Sequence, residues 1–182
     1  MNTKLELMNK LRSPENKVAL QAVEELRVRG WLGDGSLRGV ALCHAQLQGC
    51  DLMDANLSTI DFHQAQLAWV DLSNANLMGA KLTRADLSGA NFSKANLTGA
   101  DLYKANLRGA NNLTDEQLMK AKRLWGATMP DGNPYDGRFR LAGDLEIARW
   151  GNINANDPQA MADFHGVSLE TYLDGQDLII KV

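Results

Sequence analysis

The sequence specifies a parallel β solenoid closed by helices at both ends. Three observations lead there: a bulky apolar residue at every fifth position through the middle of the chain, a small residue two places before each of them, and helix-start signals on both sides of that stretch. Counting by fives from Leu37 to Leu107 meets fifteen positions, all Leu except Phe62 and Phe92, although Leu and Phe together fill only 31 of 182 places. Chance gives such a run a probability on the order of 10^-12, so this period is the first fact to explain. It fits neither the helical turn nor the alternation of a long strand, so the chain must turn after each short extended piece.

In chain order, residues 1–30 read as a helical N-terminal cap. Ser13-Pro14-Glu15 is a helix start, with Ser as N-cap and Pro in the first turn. Val18, Ala19, Ala22, Val23 and Leu26 follow at helical spacing, and Gly30 marks the end.

Residues 31–112 form the coil. Its inward set is Leu37, Leu42, Leu47, Leu52, Leu57, Phe62, Leu67, Leu72, Leu77, Leu82, Leu87, Phe92, Leu97, Leu102 and Leu107. Two residues before these centres stand ten Ala, with Gly35, Val40, Cys50, Ile60 and Val70 in the remaining places. A narrow interior demands this pairing of large and small, because a second bulky group per side overpacks it. One residue before the centre, ten of fifteen are Asn or Asp; two residues after it, Gly recurs at 39, 49, 79, 89, 99 and 109. If each piece is one side of a four-sided turn, twenty residues close a coil and coils stack at about 4.8 Å. The segments Ala85-Asp-Leu-Ser-Gly89, Ala90-Asn-Phe-Ser-Lys94 and Ala95-Asn-Leu-Thr-Gly99 closely resemble the pentapeptide-repeat family. That resemblance implies a mainly β fold, the right-handed quadrilateral parallel β-helix, with α-helical caps; handedness and squareness come from the family.

Residues 113–132 read as a C-terminal cap helix and turn. Thr114-Asp-Glu-Gln117 is a capping box, Leu118, Ala121 and Leu124 share a face, Ala127-Thr128-Met129 mimics one more repeat, and Pro130-Asp131-Gly132 is a turn. Residues 133–182 lose the period and read as a small helical extension. Asp144 starts a helix through Arg149, Asp157-Pro158 starts another that Gly166 stops, and Ser168 caps a third. The last five residues, Leu178 to Val182, are a strand candidate.

Composition narrows function. The chain is 45% hydrophobic with mean hydropathy −0.30 and net charge −3, and no apolar run approaches the roughly 18 residues of a membrane span. The start lacks the apolar core of a secretory signal, and two cysteines, Cys43 and Cys50, are too few for a disulfide framework. A cytoplasmic location is expected. From Leu113 onward 11 acidic and 7 basic residues make the tail net acidic, whereas residues 31–112 are near neutral.

The candidate chemistry is sparse. Cys43 and His63 fall in one column with His44 beside them, but a metal site needs three or four supported ligands and a nucleophilic Cys needs a shaped pocket. No catalytic, cofactor-binding or metal site is assigned. Trp69 occupies an outward slot between Gly49 and Gly89 in its column, which makes it the candidate contact with a partner. His44, Gln64, Arg84 and Lys104 share another column near Lys81, offset by Asp61 and Asp101, too weak for a phosphate-tracking stripe. Ala162 to Ser168, followed by Tyr172, resembles a helix-turn-helix corner, yet its second helix begins with Glu170 and Asp174 and brings no Lys or Arg.

The expected function is a non-enzymatic structural or protein–protein interaction module presenting a rigid β-helical surface to a protein partner, with no cofactor, small-molecule substrate, nucleic acid or membrane. One alternative is a DNA-mimic regulator of a type II topoisomerase, which resemblance to that branch of the family implies; another is DNA binding through the tail.

Overall fold

The structure, a computed structural model, describes residues 3–180. Through the middle of the chain, parallel bridges join each residue that precedes a centre to the residue twenty places on, from Ala41–Asp61 to Asn91–Asn111. Four five-residue sides therefore make one coil. Each side contributes a single bridging residue rather than a strand, because the chain turns again before a second pair can form.

The corner explains two of the sequence preferences. Each centre carbonyl accepts from the N–H three residues on, as Leu42 does from Ala45 at 3.2 Å. The third residue of that turn is left-handed: all fifteen positions from Gly39 to Gly109 have φ between 54° and 70°. Glycine adopts this region without strain, hence its recurrence there. The ten Asn and Asp residues before the centres each accept a hydrogen bond from the backbone N–H two residues on, for example Asp71 Oδ1 from Ser73 at 2.8 Å. These short side chains pin the first half of each turn. The coil interior is dry and filled, with every one of the fifteen centres at most 2% exposed.

Stacking leaves a different set of backbone groups unmet at each end. Inside the coil a centre N–H donates to the next coil, as Leu42 does to Asp61 O at 2.7 Å, and Asp61 N returns a bond to Val40 O at 3.0 Å. The first coil thus lacks donors for some carbonyls, and the last lacks acceptors for some N–H groups.

Two helices, α1 (Lys4–Lys10) and α2 (Asn16–Val28), lie at the first end. Leu7, Leu11, Ala19, Ala22, Val23 and Leu26 join the same buried cluster as Leu37. Their polar side chains supply the missing donors: Arg12 Nε to Ala41 O at 2.9 Å, Asn16 Nδ2 to Gln48 O at 3.1 Å, Arg27 Nη2 to Asp51 O at 2.7 Å. The expected start at Ser13 is displaced. Glu15 is the N-cap of α2, and the Ser13 hydroxyl accepts from Glu15 N at 3.1 Å within the turn that follows α1. Sequence reading passed over α1, although Thr3 and Glu6 form its reciprocal capping box.

At the other end α3 (Asp115–Leu118), started by the Thr114 capping box, replaces part of a side. Gln117 Nε2 donates to Phe92 O and Ala95 O, both at 2.8 Å. The ladder then resumes two residues out of step, at an offset of 22 in place of 20, with Arg123 bridging Asp101 and Thr128 bridging Asn106, so coil pairing runs past residue 112.

Helix α4 (Ala142–Trp150) ends the stack. Asp144 does not start it; Leu141 is the N-cap and the Asp144 carboxylate is buried. Gly143 N donates to Lys122 O at 3.0 Å, the bond the next coil would make. Asp144 Oδ1 accepts from Leu124 N at 3.0 Å and from Trp125 N at 2.9 Å. The carboxylate stands in for the absent next carbonyl, and also for the Asn or Asp that Arg123 replaces. Burial pushes its pKa up to about 6, opposed by the two backbone N–H groups. Helices α5 (Pro158–His165) and α6 (Leu169–Ile180) follow. Asp157 caps α5, Gly166 stops it at φ 72°, and the Ser168 hydroxyl accepts from Thr171 N at 3.1 Å. The strand expected at the C-terminus is instead helical through Ile180, and Lys181 and Val182 lie outside the described residues.

Two outcomes follow for stability. Leu77→Ala is expected to cost about 2–5 kcal/mol in urea unfolding, and Leu77→Asp to abolish the cooperative transition by burying an unpaired charge between coils. Asp144→Ala strands the buried Leu124 N–H and the part-buried Trp125 N–H, and at pH 7.5 it is expected to cost about 2–4 kcal/mol; a wild-type midpoint for that variant would show that α4 does not close the coil.

Candidate functional site

Outward side chains of the coil stand in columns one residue wide, repeating every coil. Trp69 is 72% exposed, and its backbone is left-handed at φ 61°. The ring lies over Gly89: a Cβ there would come within 2.4 Å of Trp69 Cε3. On its other side Gly49 is open, with nothing within 4 Å of a Cβ position. The C-terminal helices do not cover the ring. A tryptophan in a conformation that costs an L-residue roughly 1–2 kcal/mol, lying exposed over bare backbone, is poorly explained by packing.

The Cys43 group is unsuited to catalysis. Burial and a hydrogen bond to the Asp61 carboxylate raise the pKa of the thiol, the reverse of what a nucleophilic thiolate needs. His44 and His63 meet edge to face at 6.1 Å between centroids. Among the described residues no group of three or more metal-ligating side chains comes together. Cys50 lies in the core, its pKa raised to about 12 by burial.

On the same side of the coil runs a column of alternating sign, Asp61, Lys81, Asp101 and Arg123. Lys81 pairs with Asp61 at 3.3 Å, and Arg123 grips Asp101 through Nε at 2.6 Å and Nη2 at 2.5 Å. Beside it a hollow of about 500 Å³ has Gly79 and Gly99 in its lining, with Lys122 at its end. Lys104 Nζ sits 5.3 Å from the Tyr103 ring and 5.0 Å from the Trp125 ring, which stack at 5.4 Å.

Trp125 also fastens the C-terminal helices to the coil. Its ring stacks on Phe164 at 5.4 Å, and its Nε1 donates to Phe164 O at 2.9 Å. Behind Phe164, His165 is 8% exposed and packs edge-on against Tyr135 and Phe164. Its Nδ1 has no hydrogen-bond partner, and burial lowers its pKa to about 4. The helix-turn-helix-like corner packs on Ala148, Met161, Ala162 and Tyr172, while Glu170 and Asp174 face outward. A second hollow, of about 360 Å³, opens beside it and is lined by Asp131, Asp136, Arg138, Ser168 and Thr171. The aromatic cluster was missed in the sequence because its contacts Tyr103–Trp125, Tyr135–His165 and Trp125–Phe164 join residues 22, 30 and 39 places apart. Trp125 was detectable only by extending the Tyr103 column across the shifted ladder.

Comparison with known proteins concerns the coil. Residues 36–74, 60–99 and 75–111 match the family model of pentapeptide repeats, in eight copies. Similar solved structures include HetL, a pentapeptide repeat protein involved in heterocyst differentiation regulation from the cyanobacterium Nostoc sp. strain PCC 7120, 42% identical over 51% of this chain and 42% of that one, with TM-score 0.47. Rfr23 from the cyanobacterium Cyanothece 51142 is 32% identical over 52% of this chain and 58% of that one, with TM-score 0.38. QnrB1, a plasmid-mediated fluoroquinolone resistance protein, is 19% identical over 63% of this chain and 59% of that one, with TM-score 0.43. The chain spans less than two thirds of the length of each of these three. No curated protein matches it.

The buried imidazole generates a pH prediction. His165 is held neutral in the fold, with a pKa of about 4 against an ordinary 6.5, so its contribution is intact above pH 6.5 and is lost as pH falls toward 4. Asp144, raised to about 6 from 3.8, works in the opposite sense, favouring the fold below pH 3.8 and losing that contribution as pH rises through 6. The diagnostic quantity is therefore a difference: between pH 7 and pH 4 the wild type should lose up to about 3 kcal/mol relative to His165→Phe in urea titrations. Parallel pH profiles for the two proteins would place the imidazole in water.

Proposed function

We propose that this chain, whose residues 36–111 belong to the pentapeptide-repeat family, is a non-enzymatic interaction module that offers the side of a rigid coil to a protein partner. In this reading the coil is the right-handed, four-sided form, α1–α2 and α3–α4 are its caps, and the protein works in the cytoplasm. Among the described residues no helix is long and apolar enough to cross a membrane.

Trp69 carries the reading. Protein partners gain most from a large aromatic that desolvates against a complementary pocket, and small neighbours leave room for one. The coil behind it is filled with side chains, so the anchor is held on a surface that does not yield. DNA mimicry calls for a rod of dense negative charge, whereas residues 31–112 hold Lys and Arg nearly equal in number to Asp and Glu. DNA binding by the tail is disfavoured by the carboxylates on the outer side of α6.

The test is Trp69→Gly. Glycine suits φ 61° better than tryptophan, so the variant should melt at or above the wild-type temperature. Immobilised wild-type protein is expected to retain a partner from host extract that the variant does not. Equal retention by both, with equal melting, would remove Trp69 from the contact.

A further inference from the structure

One side of the coil gathers more cations than the fold pairs. Arg84 and Lys104 occupy adjacent rungs of one column, since Arg84 N bonds Tyr103 O and Lys104 N bonds Trp125 O. Lys81, Lys122 and Arg123 stand beside them around the hollow with Gly79 and Gly99 in its lining. Asp61 and Asp101 are engaged by Lys81 and Arg123, and the charge of Asp144 also reaches Arg123, which leaves Arg84, Lys104 and Lys122 without an ion pair among the described residues. The chain as a whole is at −3. This side is therefore a basic strip on an acidic molecule.

The complementary surface lies elsewhere on the same chain. Along α6, Glu170, Asp174 and Asp177 are exposed and recur once per turn, with exposed Leu173 among them, while Tyr172 and Gly175 face inward. Among the described residues none of the three carboxylates has an ion pair. Helical residues four and three apart rise about 6 and 4.5 Å; coil rungs are about 4.8 Å apart. A helix lying along the coil axis thus brings Glu170 and Asp174, one turn apart, to the adjacent rungs of Arg84 and Lys104. Within one molecule this match is not made: α6 is tied through Gln176 Nε2 to Gly137 O at 3.2 Å, and Gly175 packs on Asp136.

We propose that the basic strip around Arg84 and Lys104 receives the acidic side of α6 from a second copy of the chain. The exposed Leu173 set among the carboxylates of α6 has no counterpart in a phosphate strand, and it favours the helix as occupant. Leu173, 44% exposed, meets the Tyr103–Trp125 shelf and supplies the apolar part of the contact. The contact joins unlike surfaces and depends on exposed charge, so it is weak and salt-sensitive.

Sedimentation equilibrium on the full chain tests it, from about 10 µM to about 1 mM protein and at ~20 and ~500 mM salt. The expected result is an average mass rising above 20.0 kDa at low salt and returning to it at high salt. Arg84→Glu with Lys104→Glu, and separately Glu170→Lys with Asp174→Lys, should each weaken association about tenfold or more. Combining all four substitutions in one chain should restore it, an outcome that a folding defect cannot produce. A mass of 20.0 kDa throughout, association that survives either pair of reversals, or no rescue in the combined chain would overturn the proposal. So would duplex DNA that displaces the second copy at equal charge.

Discussion

The structure depends on a corner that must be made every five residues. A left-handed residue two places after each centre turns the chain, and a carboxylate or amide before the centre holds the turn's first half. Everything regular about the molecule descends from that repetition: the inward centre, the small residue that shares the interior, the single bridge per side, and the columns of outward side chains. The centre supplies burial, but burial alone would be satisfied by many packings of leucine. It is the turn chemistry that restricts the chain to one register, because a slip by one residue in one direction would place alanine, valine or isoleucine where a positive φ is required, and in the other would lose every corner glycine.

The same rule sets where side chains can be informative about function. A position that faces solvent at every corner is cheapest as glycine and tolerable as Asn or Asp. Six of the fifteen corners are Gly, and Asp54 and Asn74 fit the same preference. The other seven, His44, Thr59, Gln64, Trp69, Arg84, Lys94 and Lys104, do not. Thr59 at least reaches a neighbour's carbonyl, its hydroxyl donating to Ser58 O at 2.7 Å. Trp69 makes no comparable bond and rests on a bare glycine. A large apolar ring at a left-handed corner, exposed and lying on a bare glycine where the other side-chain-bearing corners are polar, separates this aromatic from the scattered Met53 and Met78.

What could be read from the sequence was what the period repeats. Fifteen centres, their small companions and the capping box at Thr114 are local statements, each confined to a few adjacent residues. The features that escaped are encounters between distant parts of the chain. Asp144 reads as a helix start because Asp before an apolar run usually is one; only the coil's last rung, with Arg123 where an amide acceptor belongs, gives it another task. His165 and Tyr135 meet in space at 5.4 Å without any sequence spacing to announce it. The helix α1 is a different case, since its capping box was present and was passed over in favour of the more apolar α2.

Termination is where the solenoid's geometry turns into chemistry. A stacked coil has no intrinsic reason to stop, and each open end presents backbone groups of one predominant kind to any neighbour that can satisfy them. Here the two ends are met by opposite means. At the first end arginine and asparagine side chains donate to carbonyls that have no earlier coil. At the last, a glutamine donates while a carboxylate accepts from the N–H groups that have no later one. A carboxylate is the better acceptor because its two oxygens take bonds that a coil would draw from separate residues, and its charge strengthens both. Burial works against it and raises the pKa of the carboxyl, while the two backbone N–H groups pull it down. With both stacking ends occupied in this way, axial growth is blocked, and the sides of the coil and the outer faces of its C-terminal helices are the surfaces left for meeting other molecules.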